Sequence, residues 1–333
     1  MAKYLITGVA GFIGSALAEA LLERGEDVRG VDNFVTGKRT NIEPFLISKG
    51  ISAGVGKQMD FREADLRDAT AMRAACEGVE VIFHEGALPS VPRSVKEPAP
   101  SHDANINGTF TLLEAARAAG VRRIIYAASS SAYGNQPGMP RRESMTPAPI
   151  APYAVQKLTG ELYMKSYWQV YGMETACLRY FNIFGPRQAP DSPYSGVMAK
   201  FILQMMRGER PTIFGTGEQG RDFTYIANAV SANLLAAAAP KEKIGGRTFN
   251  VACGGRHTLN ETYRILAELL EFPYPPEYGP PRLGDITDSE ADISAAREAF
   301  GYEPLVGFEE GLKRTVDWYR ESFGAQVGDS VPV

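Results

Sequence analysis

Along the first half of the chain, short runs of β-branched and apolar residues alternate with stretches in which apolar positions return every three or four residues. The runs predict strands at 3–7, 27–31, 57–61, 80–84, 122–129 and 174–181, and the periodic stretches predict helices at 12–24, 69–76, 101–119 and 152–171. Strands separated by a helix pair in parallel through crossovers, so the pattern predicts an α/β protein built on a doubly wound parallel sheet. Beyond residue 181 the texture changes to loops punctuated by Pro and Gly, as in Gly185-Pro186-Arg187 and the stretch 273–281, around fewer helices. The chain therefore divides into a larger lobe at 1–181 and a smaller, interleaved α/β lobe at 182–333. An apolar helix at 226–239 and a strand at 247–252 are expected to return about 226–252 to the main sheet.

Composition narrows the function classes. Hydrophobic residues make up 44% and charged residues 22%, which argues against disorder. Lys and Arg number 35 against 39 Asp and Glu, a net charge of -4, so there is no basic field for a nucleic-acid backbone. Cys76, Cys177 and Cys253, with His84, His102 and His257, form no ligand-spaced group, so no metal is expected and a reducing, cytoplasmic setting fits. The N-terminus turns to glycines too soon for a signal peptide, and the longest small-apolar stretch, 234–239, is too short to cross a bilayer.

The first strand runs into Gly8-Val9-Ala10-Gly11-Phe12-Ile13-Gly14. Glycines at this place permit a tight turn, let a pyrophosphate approach the backbone, and bring the following helix close to the strand. Asp32 ends the second strand, where a carboxylate can accept both hydroxyls of an adenosine ribose and repels a 2′-phosphate; NAD is thereby favoured over NADP. Lys38 and Arg39, just downstream, are either solvated loop charges or a softening of that preference. Asp65-Leu66, after the third strand, is either an adenine-side contact or a helix N-cap.

The fifth strand ends in Ser129-Ser130-Ser131-Ala132-Tyr133-Gly134, and the helix at 152–171 carries Tyr153 and Lys157, four apart and on one face. A Lys ammonium beside a phenol, joined by the positive charge of an oxidised nicotinamide, is expected to lower the Tyr153 pKa towards that of a working base. A serine hydroxyl at the neighbouring strand end can hold the same substrate oxygen.

These residues, in this order, resemble the extended short-chain dehydrogenases/reductases, and within them the NAD-dependent nucleotide-sugar epimerases and dehydratases, from Gly8 to about Tyr319. The resemblance implies a Rossmann dinucleotide-binding domain at 1–181 and a UDP-sugar domain at 182–333. It makes Tyr153 the base, Lys157 its partner and a ribose ligand, and Ser129 the catalytic hydroxyl, with Ser130 and Ser131 as rivals. It adds Asn33, Gly86, Ala87 and Tyr180 to the cofactor side. Dehydratases of the family carry Asp-Glu after the catalytic hydroxyl and its decarboxylases a Glu before the Val-Tyr-Gly; Ser130 and Ser131 stand there instead. What remains is oxidation and re-reduction at one carbon: 4-epimerisation through a transient 4-keto sugar.

By the same resemblance Arg221 and Arg282 bind the diphosphate, Asp285 the uridine ribose, and the uracil lies near Thr212-Ile213-Phe214. Pro89, Ser90, Asn182, Gln188, Gly196 and Ser289 line the sugar pocket. The small Ser289 leaves room for a 2-acetamido group, so UDP-GlcNAc and UDP-GalNAc are expected substrates alongside UDP-Glc and UDP-Gal. A UDP-glucuronate 4-epimerase, with Arg93 meeting the acid, and a non-catalytic NAD binder are the alternatives. Where the family reads His-x-Ala-Ala, this chain reads His84-Glu85-Gly86-Ala87. The helices at 101–119 and 152–171 resemble those that form a four-helix bundle in homodimers of the family.

Overall fold

The structure is a computed structural model that describes residues 3–46, 59–189, 196–281 and 288–328. Seven strands make one sheet: β1 (Tyr4–Thr7), β2 (Val28–Asp32), β3 (Asp60–Glu63), β4 (Val81–His84), β5 (Arg123–Ser129), β6 (Glu174–Tyr180) and β7 (Arg247–Val251). Their order is β7-β6-β5-β4-β1-β2-β3, and every pairing is parallel. Strand β3 begins at Asp60, later than the run at 57–61 suggests; residues 47–58 lie outside the described part.

Both faces of the sheet are covered, and the side-chain alternation of the strands shows it. On β1, Leu5 enters one core and Ile6 the other; on β5, Ile124 and Ile125 divide in the same way. One core takes Leu17, Ala18, Leu21 and Leu22 of helix α1 (Phe12–Glu23), and the other takes Met72, Ala75 and Cys76 of α2 (Ala69–Cys76). Helix α2 starts where it does because Asp68 accepts from the amides of Thr70 and Ala71, filling two donors that the first turn leaves open. Leu112, Leu113 and Ala116 of α3 (Gly108–Ala118) and Met164 and Tyr167 of α4 (Pro152–Tyr171) complete that second core.

The helix expected at 101–119 starts earlier, at Pro98, and passes through a π-turn at Asp103–Asn107 before α3. Asn105, inside that turn, exchanges two hydrogen bonds with Leu88: it accepts from the Leu88 amide at 2.7 Å and donates to its carbonyl at 3.0 Å. The irregularity thus pins the loop that leaves β4.

Helix α5 (Ile226–Ala238) and β7 extend the first core, with Ile226, Ala229, Phe249 and Val251 buried in it. Short ladders join the remainder: Ile183–Phe184 with Thr224–Tyr225, Thr212–Phe214 with Glu277–Gly279, and Gly220–Arg221 between His257–Thr258 and Asp288–Ser289. Asp222 knots them. Its carboxylate accepts from the amides of Cys253, Gly254 and Ala291, and burial pushes its pKa up to about 6. Among the described residues no helix is long and apolar enough to cross a membrane, and no group of His, Cys, Asp and Glu is arranged to hold a metal ion.

Candidate active site

The strand order reverses between β1 and β4, which opens a crevice at their carboxyl ends, where ligands of such sheets bind. The glycine turn forms one wall. Gly8 has φ of +69°, and a Cβ built on Gly14 would lie 2.2 Å from the Gly8 carbonyl oxygen, so any side chain at 14 would drive the helix off the strand. Asp32 is buried at the end of β2, accepting from the Ala10 amide at 2.9 Å and the Phe34 amide at 2.8 Å. Burial raises its pKa. Each of its oxygens keeps a lone pair for a further donor.

A cleft of about 520 Å³ gathers Gly8, Gly11, Phe12, Ile13, Gly14 and Asp32 with Gly86, Ala87, Pro89, Ser90, Tyr153, Lys157 and Tyr180. A bare glycine turn at one end, a buried acid beside it and a phenol with an amine at the other end fit a dinucleotide. Gln188 and Gly196 line this cleft and also a second cavity of about 450 Å³, which contains Asn182, Thr212, Phe214 and Arg221. A third, of about 40 Å³, lies between Ser130, Asn182, Arg221 and Ser289. The expected positions that the structure does not bring to the cleft are equally specific. Asn33 donates to Asp65 at 2.8 Å, and Arg67 forks the Asp65 carboxylate, holding it well below the usual carboxylate range. Leu66 sits against Gly86 and Gly108. Ser129 and Ser131 face each other, Oγ to Oγ, at 2.8 Å. Arg282 and Asp285 lie outside the described residues.

Tyr153 and Lys157 occupy the start of α4, where Pro152 stands in the first turn and the Tyr153 amide donates to Ser94 Oγ at 3.0 Å. The Lys157 ammonium donates to the Ala127 carbonyl of β5 at 2.7 Å and lies 4.9 Å from the centre of the Tyr126 ring. Burial draws its pKa down to about 8, against the opposing pull of Glu85 and Glu161. The Tyr153 phenol departs from the direction that the spacing suggests: burial, then the Glu85 charge, push it up to about 12. Lys157 spends a hydrogen bond on Ala127, so the phenol needs a further cation before it can serve as a base near neutral pH.

Glu85 is a cleft residue whose weight the spacing of motifs does not reveal. Its carboxylate accepts from the Tyr180 phenol at 2.8 Å, and burial raises its pKa to about 7. His84, one residue earlier, is fully buried, hydrogen-bonded to Thr7 at 2.8 Å and Thr109 at 2.9 Å, and pulled down to about 3 by burial, so it is a neutral strut. Val35, Thr36 and Asn41 also line the cleft. Their loop is tied to the glycine turn by the Lys38 amide and the Asn41 side chain, which both donate to the Ala10 carbonyl at 2.9 Å. No local sequence signal marks that tie.

The pattern of a known family, the NAD dependent epimerase/dehydratase family, matches residues 4–252. The chain belongs to this family; it is an enzyme, and NAD is its cofactor. A UDP-glucose 4-epimerase of Mycolicibacterium smegmatis is 37% identical over 320 residues, 96% of this chain and 98% of its own. Among solved structures, a UDP-glucose 4-epimerase of Thermotoga maritima, with UDP-glucose, superposes with a TM-score of 0.88 at 37% identity, over 96% of this chain and 99% of that one. A UDP-N-acetylglucosamine 4-epimerase of Methanobrevibacter ruminantium, in complex with UDP-N-acetylmuramic acid, gives 0.88 at 36% identity with the same coverage. These relatives set the chain within the NAD-using UDP-sugar 4-epimerases of the family.

Proposed function

We propose that the protein inverts the C4 hydroxyl of UDP-sugars, acting on UDP-GlcNAc and UDP-GalNAc as well as UDP-Glc and UDP-Gal. The observation that carries this reading is the continuity of the site: the cleft with Tyr153 and Lys157 runs through Gln188 and Gly196 into the cavity that holds Arg221. A sugar at the phenol therefore has its diphosphate and nucleoside in reach of a guanidinium and of Thr212 and Phe214.

The glycine turn Gly8, Gly11, Phe12, Ile13 and Gly14 takes the cofactor pyrophosphate and Asp32 its adenosine ribose, while Gly86, Ala87 and Tyr180 border the nicotinamide end. NAD, when bound, supplies a hydride acceptor for C4 and a positive charge beside the phenol. Tyr153 takes the proton of the C4 hydroxyl and later returns it to the same oxygen, after C4 has regained its hydride on the opposite face. Lys157, anchored on Ala127, orients the site and adds to the field that favours phenolate. Ser129, whose hydroxyl faces Ser131 at 2.8 Å beside the cleft, exchanges that contact for the substrate oxygen when a sugar binds. Ser289, small and close to Asn182 (3.2 Å between Asn182 Nδ2 and Ser289 Oγ), leaves room for a 2-acetamido group.

The working form is a homodimer joined through α3 and α4, whose outer faces expose Phe110, Val155 and Leu162. Size-exclusion chromatography of Leu162→Asp then gives a monomer, and an unchanged elution volume removes the dimer. For the chemistry, the purified protein is assayed on the four UDP-sugars with and without added NAD. Interconversion of the C4 epimers is expected, and failure on all four overturns the reading.

A further inference from the structure

Glu85 puts an acid at the end of the cleft where the chemistry needs a phenolate. Among the described residues the cleft wall contains two carboxylates, Asp32 beside the glycine turn and Glu85 beside Tyr153, Lys157 and Tyr180. Asp32 serves the adenosine end. Glu85 has no task in the chemistry proposed above, and its charge makes the Tyr153 phenol harder to ionise. Its place is nevertheless fixed. The Tyr180 phenol donates to its carboxylate at 2.8 Å, and Asn233 donates to that phenol oxygen at 2.7 Å. On the backbone side, the Gly86 amide donates to Thr7 Oγ1 at 3.2 Å. A Cβ built on Gly8 would lie 2.7 Å from the nitrogen and the Cα of Gly86, so the segment is pressed against the glycine turn.

Folding does not account for the charge. A carboxylate withdrawn from water is unfavourable unless it is paired, and a glutamine would accept the same bond from Tyr180. Lys157 attracts Glu85, but its ammonium donates to the Ala127 carbonyl. What gains from an anion here is a cation that arrives with the cofactor: an oxidised nicotinamide ring carries a positive charge that the reduced ring lacks. In the oxidative half-reaction the C4–H bond of the sugar breaks, its hydrogen passes with both electrons to the ring as hydride, and the hydroxyl proton passes to Tyr153. The ring loses its charge in that step and regains it when the hydride goes back. A fixed carboxylate nearby therefore favours the charged, oxidised ring over the neutral, reduced one. By reciprocity the charged ring favours ionised Glu85, offsetting the burial that raises this carboxyl to about 7.

We infer that Glu85 sets the redox balance of the bound cofactor: its carboxylate, held by Tyr180 at the phenol end of the cleft, keeps the nicotinamide oxidised between turnovers and favours return of the hydride to the 4-keto sugar. Glu85 acts through its charge and exchanges no proton or hydride with the sugar. The inference rests on the placement of the nicotinamide proposed above, and not on which sugar is turned over.

The test is the midpoint potential of the NAD-loaded protein in a mediated redox titration without sugar, read from the absorbance of the reduced nicotinamide, for wild type, Glu85→Gln and Glu85→Asp. Glu85→Gln is expected to shift the bound cofactor about tenfold toward the reduced form, about 30 mV upward for a two-electron couple, while Glu85→Asp, which keeps the charge, stays within about threefold of wild type. The ratio of the dissociation constants of NADH and NAD+ should move by the same factor. An unmoved potential in Glu85→Gln overturns the inference. Equal shifts in the Gln and Asp variants overturn it too, because they assign the effect to packing. Should Glu85→Gln fail to fold, Glu85→Ala removes the same charge and is judged in the same way. The placement of the nicotinamide is judged separately. Full turnover in Tyr153→Phe would remove the ring from the phenol end, whereas an unmoved potential together with an inactive Tyr153→Phe would leave the placement standing and take away the role of Glu85 alone.

Discussion

The Tyr180 phenol at the end of β6 donates a 2.8 Å hydrogen bond to Glu85 at the end of β4, and Asn233 on α5 donates to the same phenol oxygen at 2.7 Å. Two strand ends and a helix thereby hold one carboxylate against the pair formed by Tyr153 and Lys157. That carboxylate raises the pKa of both, opposing phenolate formation while favouring ammonium.

Replacing Glu85 by Gln keeps a partner for Tyr180 and removes the charge. Since a negative neighbour makes the Tyr153 phenol harder to ionise, the acid limb of the kcat/KM profile is expected to move to lower pH, by about one unit. A second readout follows by linkage. The Glu85 pKa rises from 4.5 to about 7 on folding, so its contribution to stability is fully present below about 4.5 and is lost as pH rises through about 7. Glu85→Gln should therefore gain in melting temperature over wild type above pH 7, with the gap closing in acid. A pH–rate profile that does not move removes the electrostatic role.

Tyr153→Phe deletes only the phenol oxygen, and the residues that cradle a dinucleotide stay as they are. Turnover is expected to fall by a factor of about 10² to 10⁴, with NAD still retained, as read from the absorbance of the denatured supernatant. Retained NAD with undiminished turnover would take the proton-transfer role away from this residue.

What could be read from the sequence is what one strand, one turn and one helix impose on themselves. The glycine turn, Asp32 and the Tyr153/Lys157 pair each obey a local spacing, and the parallel order of the sheet follows from the alternation of strand and helix. Long-range relations left no such trace. Arg141 reaches the small cavity beside Ser130 and Ser289 through a bridge to Ala291, far along the chain. Asn33 carries no local sign that it will be spent on Asp65 of the neighbouring strand end, and the depth of Glu85 depends on Tyr180 and Asn233. The raised phenol of Tyr153 is also a tertiary effect: spacing set Lys157 on the right face, but burial and Glu85 decide the direction.

Ser289→Tyr tests the sugar pocket. Ser289 is buried, and its hydroxyl accepts from Asn182 in the wall of the small cavity. A phenol ring there fills the space proposed for a 2-acetamido group, so kcat/KM on UDP-GlcNAc should drop by about tenfold or more relative to UDP-Glc, in line with the discrimination a shaped pocket provides. Parallel losses on both sugars would mean that the ring damages the pocket without selecting between them.

Helix α4 is held on the sheet by a buried ion pair, one turn beyond Lys157. Glu161 and Arg179 are each about 5% exposed or less, and the guanidinium forks the carboxylate while lying 4.6 Å from the centre of the Tyr133 ring. Glu161→Gln removes the anion that forks Arg179 and leaves an amide oxygen and the Tyr133 ring in its place, for which a loss of about 3–5 kcal/mol is expected in urea denaturation. Replacing both partners by Leu should cost less than the single change, because no uncompensated charge then remains. The buried pair is shielded from ions, so the difference between wild type and Glu161→Gln should persist in high salt. A single variant no less stable than the double would show that the pair contributes by its packing and that its charge is incidental to how α4 presents Tyr153 and Lys157.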